Sequence, residues 1–268
     1  MFTESLLREL ADARERNHPC VLATVAAVRG SVPRAAGAKA LFFPDGRLSG
    51  TLGGGRFEAL AAEDARIALS ERRLLLRTYP LHEHSPDSFG AICGGEVTVL
   101  FEPQGFRESM VVVGAGHCGC ALSRLARECG WHVTLVDDRP ELLTQGDAHV
   151  RHPGPVPEFL SAHPWREDVA LVLVSRNFER DREALAAVLG RPGPGYIGMI
   201  GSVRKVEQVF ADLRARGFPQ EALSGVHAPI GLDLGADSPA EIAVSILAEV
   251  AQVLRGTSGK PLRDRKHP

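Results

Sequence analysis

The 268-residue sequence lacks an excess of either charge, since 31 Lys and Arg residues nearly balance 33 Asp and Glu residues for a formal net charge of −2. Neither nucleic acid nor an anionic membrane is therefore expected as the main partner, although a local basic pocket is compatible with this balance. The one strongly basic run, Lys260–His267, contains proline and closes the chain. We predict that residues 259–268 form a flexible tail.

Long apolar runs and abundant cysteine are also missing. No stretch approaches the roughly 20 apolar residues that span a bilayer, and the charged N-terminus, Met1–Arg16, has no apolar segment typical of a signal peptide. The five cysteines are Cys20, Cys93, Cys118, Cys120 and Cys129. Because their number is odd and they are scattered, reduced thiols are favoured over a disulfide framework. These absences predict a cytoplasmic protein.

What is present is an ordinary globular composition, 44% apolar and 24% charged, in a chain long enough for two modest domains. The first half predicts helices at Thr3–Arg16 and Arg56–Ser70, and strands at Cys20–Val28, Ala38–Phe43, Arg73–Tyr79 and Glu96–Phe101. A hairpin turn is expected at Pro44-Asp45-Gly46. We therefore predict an N-terminal α+β domain over residues 1–103, followed by a linker at Glu102–Gly105.

Beyond the linker, strands and helices alternate, which predicts a parallel sheet with helices on both faces over residues 106–258. The predicted strands are Ser109–Val113, His132–Asp137, Ala148–Arg151, Val169–Ser175 and Tyr196–Ile200. The predicted helices are Gly116–Cys129, Val156–His163, Glu179–Leu189 and Val203–Gly217. A final helix has Ser238 as its N-cap, Pro239 in its first turn and Glu241 closing a capping box.

The first strand of this half runs into a glycine loop of the form G-x-G-x-x-G. Gly114 permits the tight turn, Gly116 allows a pyrophosphate to approach, and Gly119 allows the helix and strand to pack closely. The next strand ends in Asp137, placed where an acid can accept hydrogen bonds from ribose hydroxyls. Strand, glycines, helix, strand and acid follow in the order of a Rossmann domain. The fold class is thus α/β, with the α+β domain preceding a Rossmann-like one.

The sequence allows two interpretations of what the glycine loop binds. One interpretation is an adenine nucleotide or dinucleotide such as NAD(P), held at the helix N-terminus, and the other is a site that is empty or has a different use. Asp137 favours a free 2′-hydroxyl, whereas Arg139 weakens that preference. His117 lies near the expected nicotinamide side, or caps the helix. Gly201 and Ser202 follow another strand and offer either a second phosphate contact or a plain turn.

Three further segments rich in glycine lie in the first half. They are Gly30–Lys39, which contains Ser31 and Arg34, Gly50–Glu58, which contains Gly53, Gly54 and Gly55, and Cys93-Gly94-Gly95. Three consecutive glycines that enter a helix lose conformational entropy on folding, which is understandable where backbone N–H groups wrap an anion. Arg34 would add a bidentate grip on phosphate. Each segment taken singly is equally compatible with a tight turn that binds nothing.

Together these segments resemble the XdhC/CoxI family, the accessory proteins of xanthine dehydrogenase and related molybdenum hydroxylases. The matching patterns are G-S-x-P-R-x-x-G-A-K, G-T-x-G-G-G-x-x-E, C-G-G, the Rossmann G-x-G-H, Asp137-Asp138-Arg139, Tyr196–Ser202 with Lys205, and Pro229–Ala236 with Ser238–Ala243. The resemblance extends from about Val21 to Val250.

The resemblance implies a maturation factor rather than a metabolic enzyme. Such a factor binds molybdenum cofactor (molybdopterin), holds it during sulfuration, and delivers it to an apo-hydroxylase of the xanthine dehydrogenase type. A cysteine desulfurase is a further implied partner, and a homodimer is expected from base rates. Cys93 is the candidate thiol for contacting molybdenum or its sulfur, and its alternative role is that of a small buried residue.

The candidate cofactor-binding residues are therefore Ser31, Arg34, Gly53, Gly54, Gly55, Glu58, Cys93, Gly94, Gly95, Gly114, Gly116, His117, Gly119, Asp137, Gly201 and Ser202. The sequence departs from the family pattern at three of its positions. Asn177 stands where a histidine is common, although Asp181 is retained, and Cys118 and Cys120 replace aliphatic or small residues. These changes leave the fold intact.

Two rival functions remain. An NAD(P)-dependent oxidoreductase would explain the Rossmann loop, but no convincing proton-transfer pair accompanies it. A metal site from His82, His84 and Cys93 is the other rival. Two histidines separated by one residue on a polar loop are more often solvated surface, and zinc sites usually have tighter paired spacing.

Overall fold

A computed structural model describes residues 4–81, 95–175 and 177–264. The chain forms two compact units, Met1–Phe106 and Arg107–Pro268. In the first unit, an antiparallel sheet has the strand order β3-β2-β1-β5-β4. Its strands are β1 (Cys20–Arg29), β2 (Lys39–Phe42), β3 (Leu48–Gly50), β4 (Leu75–Pro80) and β5 (Glu96–Gln104), and its helices are α1 (Glu4–Glu15) and α2 (Gly55–Glu71).

The alternation of side chains along these strands places one helix on each face of the first sheet. Val97, Val99 and Phe101 of β5 belong to the buried cluster around α2. Leu6 of α1 packs instead with Leu41 and residues of the opposite face. Successive side chains of a strand point to opposite faces of the sheet. Every second residue of a strand therefore faces the same helix, as this helix–sheet–helix layering requires.

The boundary of β5 corrects one prediction. Glu102–Gln104, predicted as linker, instead pair with the start of β1 and extend the strand. The chain turns at Gly105, where φ is +76° and a Cβ atom would lie 2.1 Å from the carbonyl oxygen of His18. A side chain is therefore excluded at Gly105. The change of composition at Glu102–Gly105 marks the end of β5. The predicted hairpin turn, by contrast, is present, with the Gly46 N–H donating to the carbonyl of Phe43 at 3.0 Å.

The second unit contains a parallel sheet of six strands in the order β11-β10-β9-β6-β7-β8. Its strands are β6 (Ser109–Val113), β7 (His132–Asp137), β8 (Val150–Pro153), β9 (Val169–Leu173), β10 (Tyr196–Met199) and β11 (Val226–His227). Its helices are α3 (His117–Glu128), α4 (Pro140–Leu143), α5 (Val156–Ala162), α6 (Phe178–Val188), α7 (Val203–Ala215), α8 (Gln220–Ser224) and α9 (Pro239–Leu254). The predicted fold class is confirmed.

Every residue of β6 is buried, because helices cover both faces of the parallel sheet. Val112 packs with α3 and α9 on one face, whereas Val111 and Val113 pack with α5, α6 and α7 on the other. The strand order reverses between β6 and β9, and this switch point is where open parallel sheets form their ligand crevice. The two segments at that crevice are the glycine loop after β6 and the turn after β9.

The start of α9 follows the predicted capping box. The Ser238 hydroxyl accepts a hydrogen bond from the Glu241 N–H, and the Glu241 carboxylate accepts one from the Ser238 N–H. The short elements β3, α4, α8 and β11 were not predicted, since they are too brief to show a periodic pattern. Within the described residues, no helix has the length and apolar character to cross a membrane.

Candidate functional site

The first two glycine-bearing segments of the first unit and Gly95 of the third lie at one end of its sheet, where β1, β3 and β4 end and β2 and β5 begin. A Cβ atom on Gly53 would lie 2.9 Å from the Cβ of Pro33. One on Gly95 would lie 2.2 Å from the carbonyl oxygen of Ser31 and 2.6 Å from that of Arg29. The segments therefore approach so closely that their contact points admit only glycine. Cys93 and Gly94 lie outside the described residues.

The glycine-rich entrance to α2 forms a cradle of backbone donors, and the chain itself fills it. One carboxylate oxygen, Oε1 of Glu58, accepts hydrogen bonds from the N–H groups of Leu52 at 2.7 Å, Gly53 at 3.3 Å and Gly54 at 3.2 Å. The Thr51 hydroxyl donates to the same oxygen at 2.5 Å. Gly53, Gly54 and Gly55 all have positive φ, which aims these donors inward. These donors do wrap an anion, which in this structure is the carboxylate of Glu58. Cofactor binding at these residues stays a prediction.

The cradle also determines the charge state of Glu58. Partial burial alone would raise the pKa of this carboxyl, but hydrogen bonds from Thr51, Leu52, Gly54 and Gly53 outweigh it and leave the pKa lowered. Glu58 is therefore ionised at neutral pH. An external phosphate could reach these N–H groups only by displacing it.

Two polar side chains at the same end remain exposed. Ser31 and Arg34 lie in the loop between β1 and β2, and both are solvent-accessible. Among the described residues, the Arg34 guanidinium makes no ion pair or hydrogen bond. Its five N–H donors are thus available to an anion.

The glycine loop of the second unit has the geometry that its spacing predicts. Gly114 has φ +109°, and a Cβ there would lie 3.0 Å from the carbonyl oxygen of Val174. A Cβ on Gly119 would lie 1.8 Å from the carbonyl oxygen of Gly114, so helix and strand could not pack with any side chain there. A Cβ on Gly116 would meet no atom within 4 Å. The space beside Gly116 and the first turn of α3 is therefore open to an anionic group.

The three residues with polar side chains in this loop differ in accessibility. His117, the first residue of α3, is exposed, and Cys118 is half-buried. Cys120 is buried and its thiol donates to the carbonyl oxygen of Ala115 at 3.2 Å. Burial raises the pKa of Cys120, so it remains a thiol at neutral pH and acts as a packing residue.

Asp137, predicted to accept from a ribose, is already fully hydrogen-bonded. Its Oδ1 accepts from the N–H and Nε of Arg139 at 3.0 and 2.9 Å. Its Oδ2 accepts from the Ala115 N–H at 2.7 Å and from Nη2 of Arg139 at 3.0 Å. Burial would raise the pKa of Asp137, but these bonds prevail and lower it to about 2. Asp137 lies at the end of β7 as predicted, but both of its carboxylate oxygens already accept hydrogen bonds from donors of the same chain.

An ion pair between Asp138 and Arg180 joins the end of β7 to the first turn of α6. The guanidinium binds the carboxylate through both of its terminal nitrogens, at 2.7 and 2.6 Å. Asn177 is the N-cap of α6, with its side chain accepting from the Arg180 N–H at 3.1 Å.

A buried ion pair links the segments that follow β9 and β10, and the sequence did not predict it. Lys205 pairs with Asp181, and its ammonium also donates to the carbonyl oxygens of Ser175 at 3.2 Å and Ile200 at 3.3 Å. The Ser175 hydroxyl donates to the other carboxylate oxygen of Asp181 at 2.7 Å. Lys205 and Asp181 each lie at a position where the sequence resembles the family, but only the parallel pairing of β9 and β10 brings them together.

Gly201 and Ser202 serve this arrangement. A Cβ on Gly201 would lie 2.9 Å from the Cδ of Lys205, so glycine leaves room for the lysine side chain. The Ser202 hydroxyl accepts from the Lys205 N–H at 3.3 Å and caps α7. A phosphate contact at these two residues stays a prediction. The described ranges contain no group of three residues able to hold a metal ion, and His82 and His84 of the rival zinc site lie outside them.

Comparisons with known proteins agree with this architecture. A family model described as the XdhC Rossmann domain matches residues 110–250, and a model of the XdhC and CoxI family matches residues 13–80. The chain is 33% identical over 271 residues to the uncharacterized protein YqeB of Escherichia coli (strain K12), covering 98% of this chain but 49% of that protein. It therefore spans about half the length of that relative.

A second relative is similar over most of its own length. The molybdenum cofactor insertion chaperone PaoD of Escherichia coli (strain K12) is 26% identical over 286 residues, covering 93% of this chain and 88% of PaoD. Among solved structures, a xanthine dehydrogenase from Bacillus halodurans is 21% identical with a TM-score of 0.50, covering 97% of both chains. At that identity, the structural likeness supports the two-part fold alone.

Proposed function

Because this chain belongs to the XdhC and CoxI family, we propose that it binds molybdenum cofactor and delivers it to an apo-hydroxylase of the xanthine dehydrogenase type. The relative whose printed name is molybdenum cofactor insertion chaperone supports this role. So do the close approaches of Gly53 to Pro33 and of Gly95 to Ser31, because these two residues belong to the loop that contains the exposed Arg34. These approaches are the observation on which the proposal rests.

The cargo has a phosphate or, when joined to a nucleotide, a pyrophosphate. Arg34 is suited to grip it, because a guanidinium binds phosphate bidentately and this one has no partner among the described residues. The N–H groups of Leu52–Gly54 are less suited, since Glu58 would have to leave them. The open space beside Gly116 offers a second place for an anionic group.

We further propose that the protein holds the cofactor during sulfuration, with a cysteine desulfurase as the sulfur source and Cys93 as the contact to molybdenum or its sulfur. The assignment of Cys93 rests on the sequence pattern.

The test is anaerobic purification from cells that make molybdenum cofactor, followed by quantification of bound pterin by its fluorescence after oxidation. We expect pterin with the unaltered chain and a loss of about fivefold or more in Arg34→Ala, since one charge-assisted contact is removed. Arg66→Ala, which removes another exposed arginine, on α2, should retain pterin. Transfer is measured as activity regained by an apo-hydroxylase.

Two outcomes would contradict this proposal. A chain that holds no pterin under these conditions, but turns over NADH with carbonyl or alcohol substrates, would replace the proposal with an oxidoreductase. Equal loss of pterin in Arg34→Ala and Arg66→Ala would show that general charge, and no specific grip, retains the cargo.

A further inference from the structure

The Rossmann loop is open where a pyrophosphate would lie but closed where a ribose would lie. On the first side, Gly116 faces free space. On the second side, the acid at the end of β7 is enclosed, since the side chain of Asp137 is only 2% exposed. In dinucleotide-binding domains, the acid in this position accepts hydrogen bonds from the ribose hydroxyls.

The capacity of Asp137 to accept such bonds can be counted. An ionised carboxylate offers about four lone-pair sites, and four donors occupy them. Two are backbone N–H groups, of Ala115 and Arg139, which the fold fixes. The other two come from the guanidinium of Arg139 at 2.9 and 3.0 Å, so only this side chain could leave.

The guanidinium is well placed to persist there. Its planar fork matches both carboxylate oxygens, and its arginine lies two residues after the aspartate, so little chain entropy is lost in forming the contact. The Arg139 side chain is half exposed, so that it caps the buried carboxylate and presents a cation toward solvent.

We infer that Arg139 is a specificity-determining residue that prevents the Rossmann loop from binding a dinucleotide through a free ribose diol. For the diol to bind, the arginine must first surrender two charged hydrogen bonds to Asp137. Removing the side chain leaves both backbone bonds to Asp137 and opens two acceptor sites. This inference does not rest on the proposed function, because it concerns the second unit alone.

The experiment is a calorimetric titration of the full chain with NAD⁺, which measures the affinity for this dinucleotide. We expect Arg139→Ala to bind NAD⁺ about tenfold or more tightly than the unaltered chain, the gain typical of one hydrogen bond to a charged group. Arg180→Ala is the matched control. It removes an arginine that pairs with the neighbouring Asp138, so it changes the charge equally without touching Asp137, and its affinity should stay near that of the unaltered chain.

Two further variants make the result decisive. Gly116→Val in the Arg139→Ala background should abolish the gained affinity if NAD⁺ uses the glycine loop. Arg139→Gln, which retains a hydrogen-bonding side chain without charge, covers the case in which the alanine variant does not fold. Equal affinity in the unaltered chain and the Arg139 variants, or no binding in any of them, would overturn the inference.

Discussion

Replacing Glu58 with glutamine should loosen the glycine cradle of the first unit while leaving its shape in place. Four donors converge on one oxygen of this carboxylate, from the hydroxyl of Thr51 and the N–H groups of Leu52, Gly53 and Gly54. The glutamine amide oxygen can take the same position. What is lost is the negative charge, so that every bond becomes a neutral one.

The magnitude follows from the difference between these bond classes. A hydrogen bond to a charged group contributes about 1.5–3 kcal/mol, and a neutral one about 0.5–1.5 kcal/mol. A carboxylate in the first turn of a helix adds about 0.3–1 kcal/mol through the helix dipole. Because Glu58 is only partly buried and four bonds share one atom, these contributions do not add in full. We expect Glu58→Gln to lower the local stability of the cradle by about 1–2 kcal/mol.

Amide hydrogen exchange of the full chain measures this quantity directly. The amides of Leu52, Gly53 and Gly54 should lose protection by roughly 5–30-fold at neutral pH, since one to two kcal/mol corresponds to that factor. Glu63→Gln is the matched control, because Glu63 is an exposed residue on the same helix. Protection in Glu58→Gln equal to that in the control would refute the assignment of Glu58 as the ion that holds the cradle.

The pH dependence gives a second, independent readout. The pKa of Glu58 is lowered below its ordinary value of 4.5, so its carboxylate stabilises the folded cradle above that pH. This contribution is lost as the pH falls through the lower folded-state pKa. The advantage of the unaltered chain over Glu58→Gln should therefore be full at neutral pH and shrink in acid. An advantage that is independent of pH would exclude the carboxylate as its source.

Two more perturbations address the sites that remain. Cys93→Ala should leave the thermal unfolding of the protein unchanged but reduce pterin retention, and unchanged retention would rule out this thiol as a cofactor contact. Lys205→Met should lower the free energy of unfolding by about 3 kcal/mol in a urea titration, because Asp181 is left buried without its counter-ion. Adding Asp181→Asn should recover part of that loss, and a double variant no more stable than Lys205→Met would contradict the pairing.

Sequence patterns predicted those features that depend on a few neighbouring residues. The roles of Gly114 and Gly119 follow from the spacing of the motif, and both positions lack room for a side chain in the structure. The capping box of α9 is likewise a local device between residues three apart. Two ion pairs could not be anticipated in this way. Asp138–Arg180 and Asp181–Lys205 join segments 42 and 24 residues apart, which only the order of parallel strands brings together.

Both predicted ligand sites contain a partner that the motif itself supplies. Glu58 lies four residues after Gly54 and binds its N–H group, while Arg139 lies two residues after Asp137 and binds its carboxylate. Buried donors and acceptors are costly when left unsatisfied, so a chain that must be stable without its ligand needs such internal partners. A ligand at either site must therefore offer more than the internal group that it displaces. For this reason Arg34, which is exposed and has no partner among the described residues, is the stronger candidate for first contact with a phosphate.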